Sequence, residues 1–123
     1  MSTVFVSGPL KAPSAFGRWR HVLHARRVAK RLRRFDYTVL CPHESAGWRY
    51  VLCGETDAER RRALRACVLA VRLLDPATDA LYLLRGWDGS AGSRVELEAA
   101  RGRGLHVMLQ AGAADPAGWR VGR

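Results

Sequence analysis

The chain has no long apolar run. Its uninterrupted hydrophobic stretches are only a few residues long, far below the roughly 20 needed to cross a bilayer, and this excludes a membrane-spanning helix. Nor does it open with a basic region followed by an apolar core. Met1-Ser-Thr-Val-Phe-Val goes straight into a strand pattern, so no secretory signal is expected and the expected compartment is cytoplasmic. Cysteine is scarce: Cys41, Cys53 and Cys67 are odd in number, widely spaced and form no C-x-x-C pair. That argues against a disulfide framework or a zinc site, and neither metal nor cofactor is expected. Lysine is nearly missing, with Lys11 and Lys30 the only two among 21 basic residues. A skew toward arginine often follows codon composition, so it does not by itself specify a binding surface.

What is present is a chain of 123 residues with 48% hydrophobic content, enough for one domain with a single core. The net charge of +10 creates a positive field that draws in nucleotides, nucleic acid or anionic surfaces.

Strand and helix signals alternate. Thr3 to Ser7 is β-rich and ends in Ser7-Gly8-Pro9, a strand followed by a turn. Ala15 to Arg34 has no proline and places Phe16, Trp19, Val22, Leu23, Val28 and Leu32 near one helical face. Asp36-Tyr37 turns the chain into a strand, Thr38 to Cys41, and Pro42 to Gly54 reads as a long functional loop. Thr56-Asp-Ala-Glu59 is a capping box that starts a helix, which ends before Asp75-Pro76. A third strand (Ala80 to Leu84), a third long helix (about Ser93 to Arg103) and a fourth strand (Leu105 to Leu109) follow. This order predicts a single-domain α/β, Rossmann-like (flavodoxin-like) fold: a parallel sheet of four to five strands with flanking helices. The domain spans 1–109, and 110–123 is a poorly patterned tail.

The stretch from Asp79 to Glu96 carries the most chemistry. A buried strand runs into a Gly-rich turn, Gly86 to Gly92, and then into a helix bearing Glu96. Ligands of open α/β sheets bind outside the carboxyl ends of strands, at the mouth of the next helix, where free backbone N–H groups favour anions. Ser90, Gly92 and Ser93 are candidate donors to such an anion, although an ordinary turn has the same composition. The spacing fits neither a Walker loop nor G-x-G-x-x-G. Glu96 has a plainer reading, as the last residue of a Ser93-Arg-Val-Glu96 capping box. Glu98 competes with it, but two residues turn a helix by about 200°, so only one of the pair faces a pocket.

Ser7, Gly8, Pro9 and Lys11 share that rim. Glycine there allows close approach of a ligand and Lys11 suits a phosphate; a tight turn with a surface lysine would look the same. His43 also falls on the rim, either solvated or titrating near neutral pH beside a nucleotide. Trp48, Tyr50 and Trp87 are stacking faces for a base, or core plugs.

Together these pieces resemble the nucleoside 2-deoxyribosyltransferase superfamily, which includes 2'-deoxynucleoside 5'-phosphate N-hydrolases and CMP hydrolases, and are nearest to an uncharacterised phage and bacterial branch. The matching residues are Ser7-Gly8-Pro9, Cys41-Pro42, the Trp48 loop, Asp79-Ala-Leu-Tyr-Leu-Leu-Arg-Gly-Trp-Asp88 and Ser90-Ala-Gly92-Ser-Arg-Val-Glu96. The resemblance covers about residues 3 to 109. It implies that Glu96 is the nucleophile at the sugar C1' carbon and that Ser90 and Gly92 hold the 5'-phosphate or 5'-hydroxyl. Gly8, Pro9 and Lys11 would line the pocket, and His43 falls where some nucleotide hydrolases place a histidine. A homodimer or larger oligomer is also implied. One departure stands out. The superfamily's Arg-x-Asp-Leu element appears as Arg65-Ala-Cys67-Val68, so Cys67 replaces an aspartate and Asp88 is the substitute acid from the loop.

The leading expectation is cleavage or transfer at the N-glycosidic bond of a nucleoside or nucleoside 5'-monophosphate. A non-catalytic nucleotide-binding or sensing module is the first alternative. Nucleic-acid binding through arginine-rich helix faces is the weaker second.

Overall fold

Strand and helix alternate as the hydrophobic pattern predicts. The computed structural model describes residues 2–118; residues 119–123 of the expected tail lie outside the described residues. The elements are β1 (Thr3–Ser7), α1 (Ala15–Arg34), β2 (Thr38–Leu40), α2 (Trp48–Cys53), α3 (Asp57–Arg72), β3 (Ala80–Leu83), α4 (Ala91–Arg103) and β4 (His106–Leu109). All strand pairings are parallel, in the order β2-β1-β3-β4. The fold is α/β and Rossmann-like, with helices on both faces of a four-stranded sheet. The chain leaves β1 toward one edge and re-enters at β3 toward the other. The carboxyl ends of β1 and β3 therefore form the topological switch point.

Strand alternation sorts the side chains of β1. Val4 and Val6 face α1, in a core with Ala25, Val28, Ala29, Leu32 and Leu84. Phe5 faces the other way, in a core with Val71 of α3, Leu81 and Leu83 of β3, Trp87 of the turn that follows, and Leu97 and Ala100 of α4. With a period of two, Ser7 projects to the Phe5 side, toward α4. Asp79 fixes the register at the opposite end. Its carboxylate accepts from the Thr3 and Asp75 amides and the Thr78 hydroxyl, and these amides, above all that of Asp75, hold it below the usual carboxylate range.

Four local expectations are corrected. Pro42 to Gly54 is not loop throughout: a 3₁₀ turn, Pro42–Ser45, and the six-residue helix α2 occupy most of it. That helix is too short to show a period, and Arg18 holds it by donating to the carbonyls of Val51 and Leu52 and of Ala12. Phe16 and Trp19 are not core residues. Burial on α1 begins at Val22, and Phe16 stays 65% exposed, stacked near Trp19 and below Arg20. Helix α4 starts two residues before Ser93, because Ser90 is its N-cap and accepts from the Ser93 amide. The expected Ser93–Glu96 capping box is therefore absent. The fourth concerns not the tail's poor patterning but its neighbours: Trp87, expected to stack on a base or plug the core, donates its indole N–H to the Ala114 carbonyl, and Arg101 donates to Pro116.

Candidate functional site

Helix α4 buries one face, formed by Ser93, Glu96, Leu97 and Ala100, while Glu98 points to solvent. The spacing of three, four and seven residues is that of a single helical stripe. Glu96 thus arrives under the carboxyl end of β1. There the Ser7 hydroxyl donates to Glu96 Oε1 at 2.6 Å, and the Cys67 thiol of α3 lies close enough to interact with the same carboxyl. Three elements, β1, α3 and α4, each contribute one polar side chain to a cluster that is otherwise surrounded by core.

Burial dominates the electrostatics. Glu96 is 7% exposed, and removal from water pushes its pKa up to about 7, against the pull of Ser7 and Cys67. The Cys67 thiol is pushed up to about 12 by burial and by the adjacent carboxylate. It is therefore a donor and not a thiolate nucleophile at neutral pH. A carboxyl that titrates near neutrality exchanges its proton at little cost, as a general acid, base or nucleophile must.

The start of α4 offers a second set of polar groups. The Ser90 hydroxyl is committed to the Ser93 amide. The Ser93 hydroxyl, one turn before Glu96 and 1% exposed, has no partner among the described residues. Gly92 lies beside it, facing Leu64 of α3.

Other expected site residues are placed differently. Gly8 does not make room for a ligand: a Cβ there would lie 2.6 Å from Leu84 Cδ1, so its absence accommodates the buried Leu84. Gly86 adopts φ +86° and a Cβ on it would approach Pro9 Cγ at 3.3 Å. The two loops thus pack against each other and fill the switch-point crevice. Trp87 is 0% exposed and belongs to the core, so it presents no stacking face. Trp48 is the reverse, 70% exposed, on the wall of a shallow groove of about 130 Å³ against Trp19. His43 is neither solvated nor poised near neutral pH. It is buried with Nε2 donating to the Pro9 carbonyl, and burial pushes its pKa down. Lys11 is exposed. Asp88 is in the 3₁₀ turn Trp87–Gly89, its carbonyl taken by Arg94. It is not among the partners of Glu96, which are Ser7 and Cys67.

A second group of side chains gathers around the β1–α1 loop, Tyr50 among them and away from any stacking role. Tyr50 Oη donates to the Leu10 carbonyl at 2.7 Å, and His21 Nδ1 lies 3.3 Å from the same oxygen. Together with His43 on Pro9, these side chains pin the loop. Beside it opens a cavity of about 300 Å³, whose walls include Leu10, Pro42, Tyr50, Glu55, Glu59 and Ala63. Tyr50 was legible as an aromatic, but its phenol and Glu55 had no motif to single them out.

Among the described residues no cluster of three His, Cys, Asp or Glu side chains is placed to hold a metal ion, and no helix is long and apolar enough to cross a membrane. The fold and this rim define a class: doubly wound α/β proteins with a buried, protonatable carboxylate on the helix that follows the switch-point strand. Within it, the chain belongs to the DUF4406 family, a domain of unknown function, which it matches over residues 3–109. No curated protein matches the chain.

Proposed function

We propose that this protein cleaves or transfers at the N-glycosidic bond of a nucleoside or nucleoside 5'-monophosphate, with Glu96 as the nucleophile. The observation that carries the reading is the Ser7–Glu96–Cys67 cluster: a buried carboxyl at the carboxyl end of the sheet, accepting from the Ser7 hydroxyl and with the Cys67 thiol beside it. The likeness of Ser90-x-Gly92-x-x-x-Glu96 to the deoxyribosyltransferase element supports it, as does a net charge of +10 for an anionic substrate.

In this reading the ionised Glu96 attacks C1', the C1'–N bond breaks, and the base departs with the bonding electron pair, taking up a proton. The resulting glycosyl ester is then opened by water or by a second base, which restores the carboxylate. Ser7 and Cys67 hold the carboxyl oxygens in place. The free Ser93 hydroxyl and the first backbone amides of α4 would receive the 5'-phosphate. We take the reaction to be cytoplasmic and the working unit to be a homodimer or larger, as the resemblance implies.

Chromatography of ribo- and deoxyribonucleoside monophosphates, incubated with wild type and Glu96→Ala, tests this. Free base from wild type alone is the expected result, and release undiminished by the substitution removes Glu96 from the mechanism.

A second reading, a nucleotide-binding module without turnover, is favoured by one observation. A thiol, not a carboxyl, meets Glu96 from α3, so the second acid of a two-carboxyl glycosidase is missing from that contact. Nucleotide binding with no base release, even with an acceptor base added, would select it.

A further inference from the structure

We propose that α1 and the neighbouring α2 form a binding face for single-stranded nucleic acid. Trp48, Trp19 and Phe16 stack on its bases, and a row of arginines meets its phosphates. The face lies on the α1 side of the sheet, away from Glu96, and does not depend on the role of that residue.

The positive charge is concentrated here. Helix α1 carries seven arginines, one lysine and no aspartate or glutamate among its 20 residues. Three of the arginines are structural. Arg18 ties α2 to α1 through the Val51 and Leu52 carbonyls, Arg26 donates to the Glu44 and Ala46 carbonyls, and Arg33 pairs with the Glu44 carboxylate. The exposed Arg20, Arg27, Lys30, Arg31 and Arg34 have no hydrogen-bond or ion-pair partner among the described residues. Phe16, Arg20, Arg27, Arg31 and Arg34 recur at helical spacing and so form one stripe, about 27 Å long. Like charges at this spacing repel and weaken a helix. Glutamates would relieve the repulsion on a merely solvated face; here a bound polyanion does.

The aromatic side chains are placed to receive unpaired bases. Trp48 faces Trp19 across the shallow groove of about 130 Å³, with Leu23, Arg26 and Gly47 in its lining. Sites that enclose a whole small molecule measure about 300–1,000 Å³, so this groove suits one flat ring resting on an indole. Phe16 lies 5.9 Å from Trp19, centroid to centroid, and the Arg20 guanidinium stands 5.9 Å above the Phe16 ring. Cation and ring therefore already alternate at this end of the stripe. In a duplex the base faces are covered by their neighbours, so exposed rings favour a single strand. Sequence preference is slight, because the chain has no asparagine and its one glutamine, Gln110, is turned to His24 and the Arg85 amide. No amide side chain on this face reads an adenine edge. The exposed residues of α1 beyond Leu23 are all cations, which leaves no continuous apolar stripe to enter a bilayer.

Fluorescence anisotropy tests the assignment, with labelled oligothymidylate and oligoadenylate of about 12 nucleotides and a duplex of equal length, from about 50 to 300 mM salt. Wild type is expected to bind the two strands alike and the duplex more weakly. The slope of log K against log salt should be about −2 to −3.5, for three to five phosphates at about 0.7 each. The triple variant Arg27→Ala, Arg31→Ala, Arg34→Ala should make that slope shallower by about 2. Trp48→Ala should weaken binding about five- to a hundredfold with the slope unchanged, and Trp48→Phe, which keeps a ring, should recover most of the loss. No binding at the lowest salt, a duplex bound as tightly as the strands, or affinity indifferent to Trp48→Ala would overturn the assignment. Binding to phosphatidylserine vesicles, with none to either strand, would give the face to a membrane and overturn it equally.

Discussion

Replacing Glu96 by glutamine should change the pH dependence of stability in a way no other single substitution here would. The folded protein holds the Glu96 proton more tightly than the unfolded chain does, with a pKa of about 7 against an ordinary 4.5. Between those values the native state binds more protons than the unfolded state, so stability falls as pH rises and the loss is complete above about 7. At about 1.4 kcal/mol per pH unit, the interval comes to about 3 kcal/mol. Glutamine is close in shape, keeps an oxygen for the Ser7 hydroxyl and carries no charge. The assay is urea unfolding of wild type and Glu96→Gln from pH 4.5 to 8.5. The difference between the two proteins isolates this carboxyl, because Glu55, whose pKa is also raised, and His43, whose pKa is lowered, titrate equally in both. Glu96→Gln should gain on wild type by about 3 kcal/mol across the range, nearly all of it before pH 8. Parallel profiles, within about 0.5 kcal/mol, the usual scatter for surface changes, would mean that Glu96 is solvated and that the electrostatic argument fails.

Other outcomes follow from the same contacts. If Glu96 is the nucleophile, kcat/KM for base release should rise about tenfold per pH unit below about 7 and level off above it; a profile flat from pH 5 to 8 would exclude an ionising Glu96. Cys67→Asp places a second carboxyl on Glu96 and should raise base release while lowering stability above pH 7, read by chromatography and thermal melting; unchanged turnover would show that the missing acid is not what limits the reaction. Gly8→Ala drives a methyl into Leu84 at 2.6 to 2.9 Å and should cost about 1–3 kcal/mol in urea unfolding, part of which Leu84→Ala in the same chain should restore. His43→Gln should gain stability relative to wild type in urea unfolding as pH falls below 6.5, since a buried histidine with a lowered pKa takes up a proton on unfolding and the substitution removes that term from the difference.

The long elements were legible because their signals are local. The first helix falls on Ala15–Arg34 as expected, capped by Ser14 through the Gly17 amide, and the strands agree within one or two residues. What misled were residues whose fate is set by distant partners. Trp87 and Trp48 are alike in sequence, but the Trp87 indole meets a carbonyl 27 residues away and is buried, while Trp48 is exposed. Ser90 and Ser93 both stand three residues before a plausible partner. Ser90 wins the N-cap, and that choice alone frees Glu96 from its plainer role. Glu55 is invisible to motif reading because only the fold sets it in a cavity wall.

The crevice between β1 and β3, where an open sheet usually receives its ligand, is occupied by the protein itself. Leu84 lies under Gly8, and Pro9 lies against Gly86. Binding space is therefore displaced sideways, toward β2, and opens between the β1–α1 loop and α3. Glu96 comes from the opposite flank, on the helix after β3, and reaches the same helix α3 through Cys67. A ligand engaging both would lie along α3. Glu59, Ala63 and Cys67 recur every fourth residue and so share one face of α3. The β1–α1 loop, pinned at Pro9 and Leu10 by His43, His21 and Tyr50, forms one rim of that cavity through Leu10.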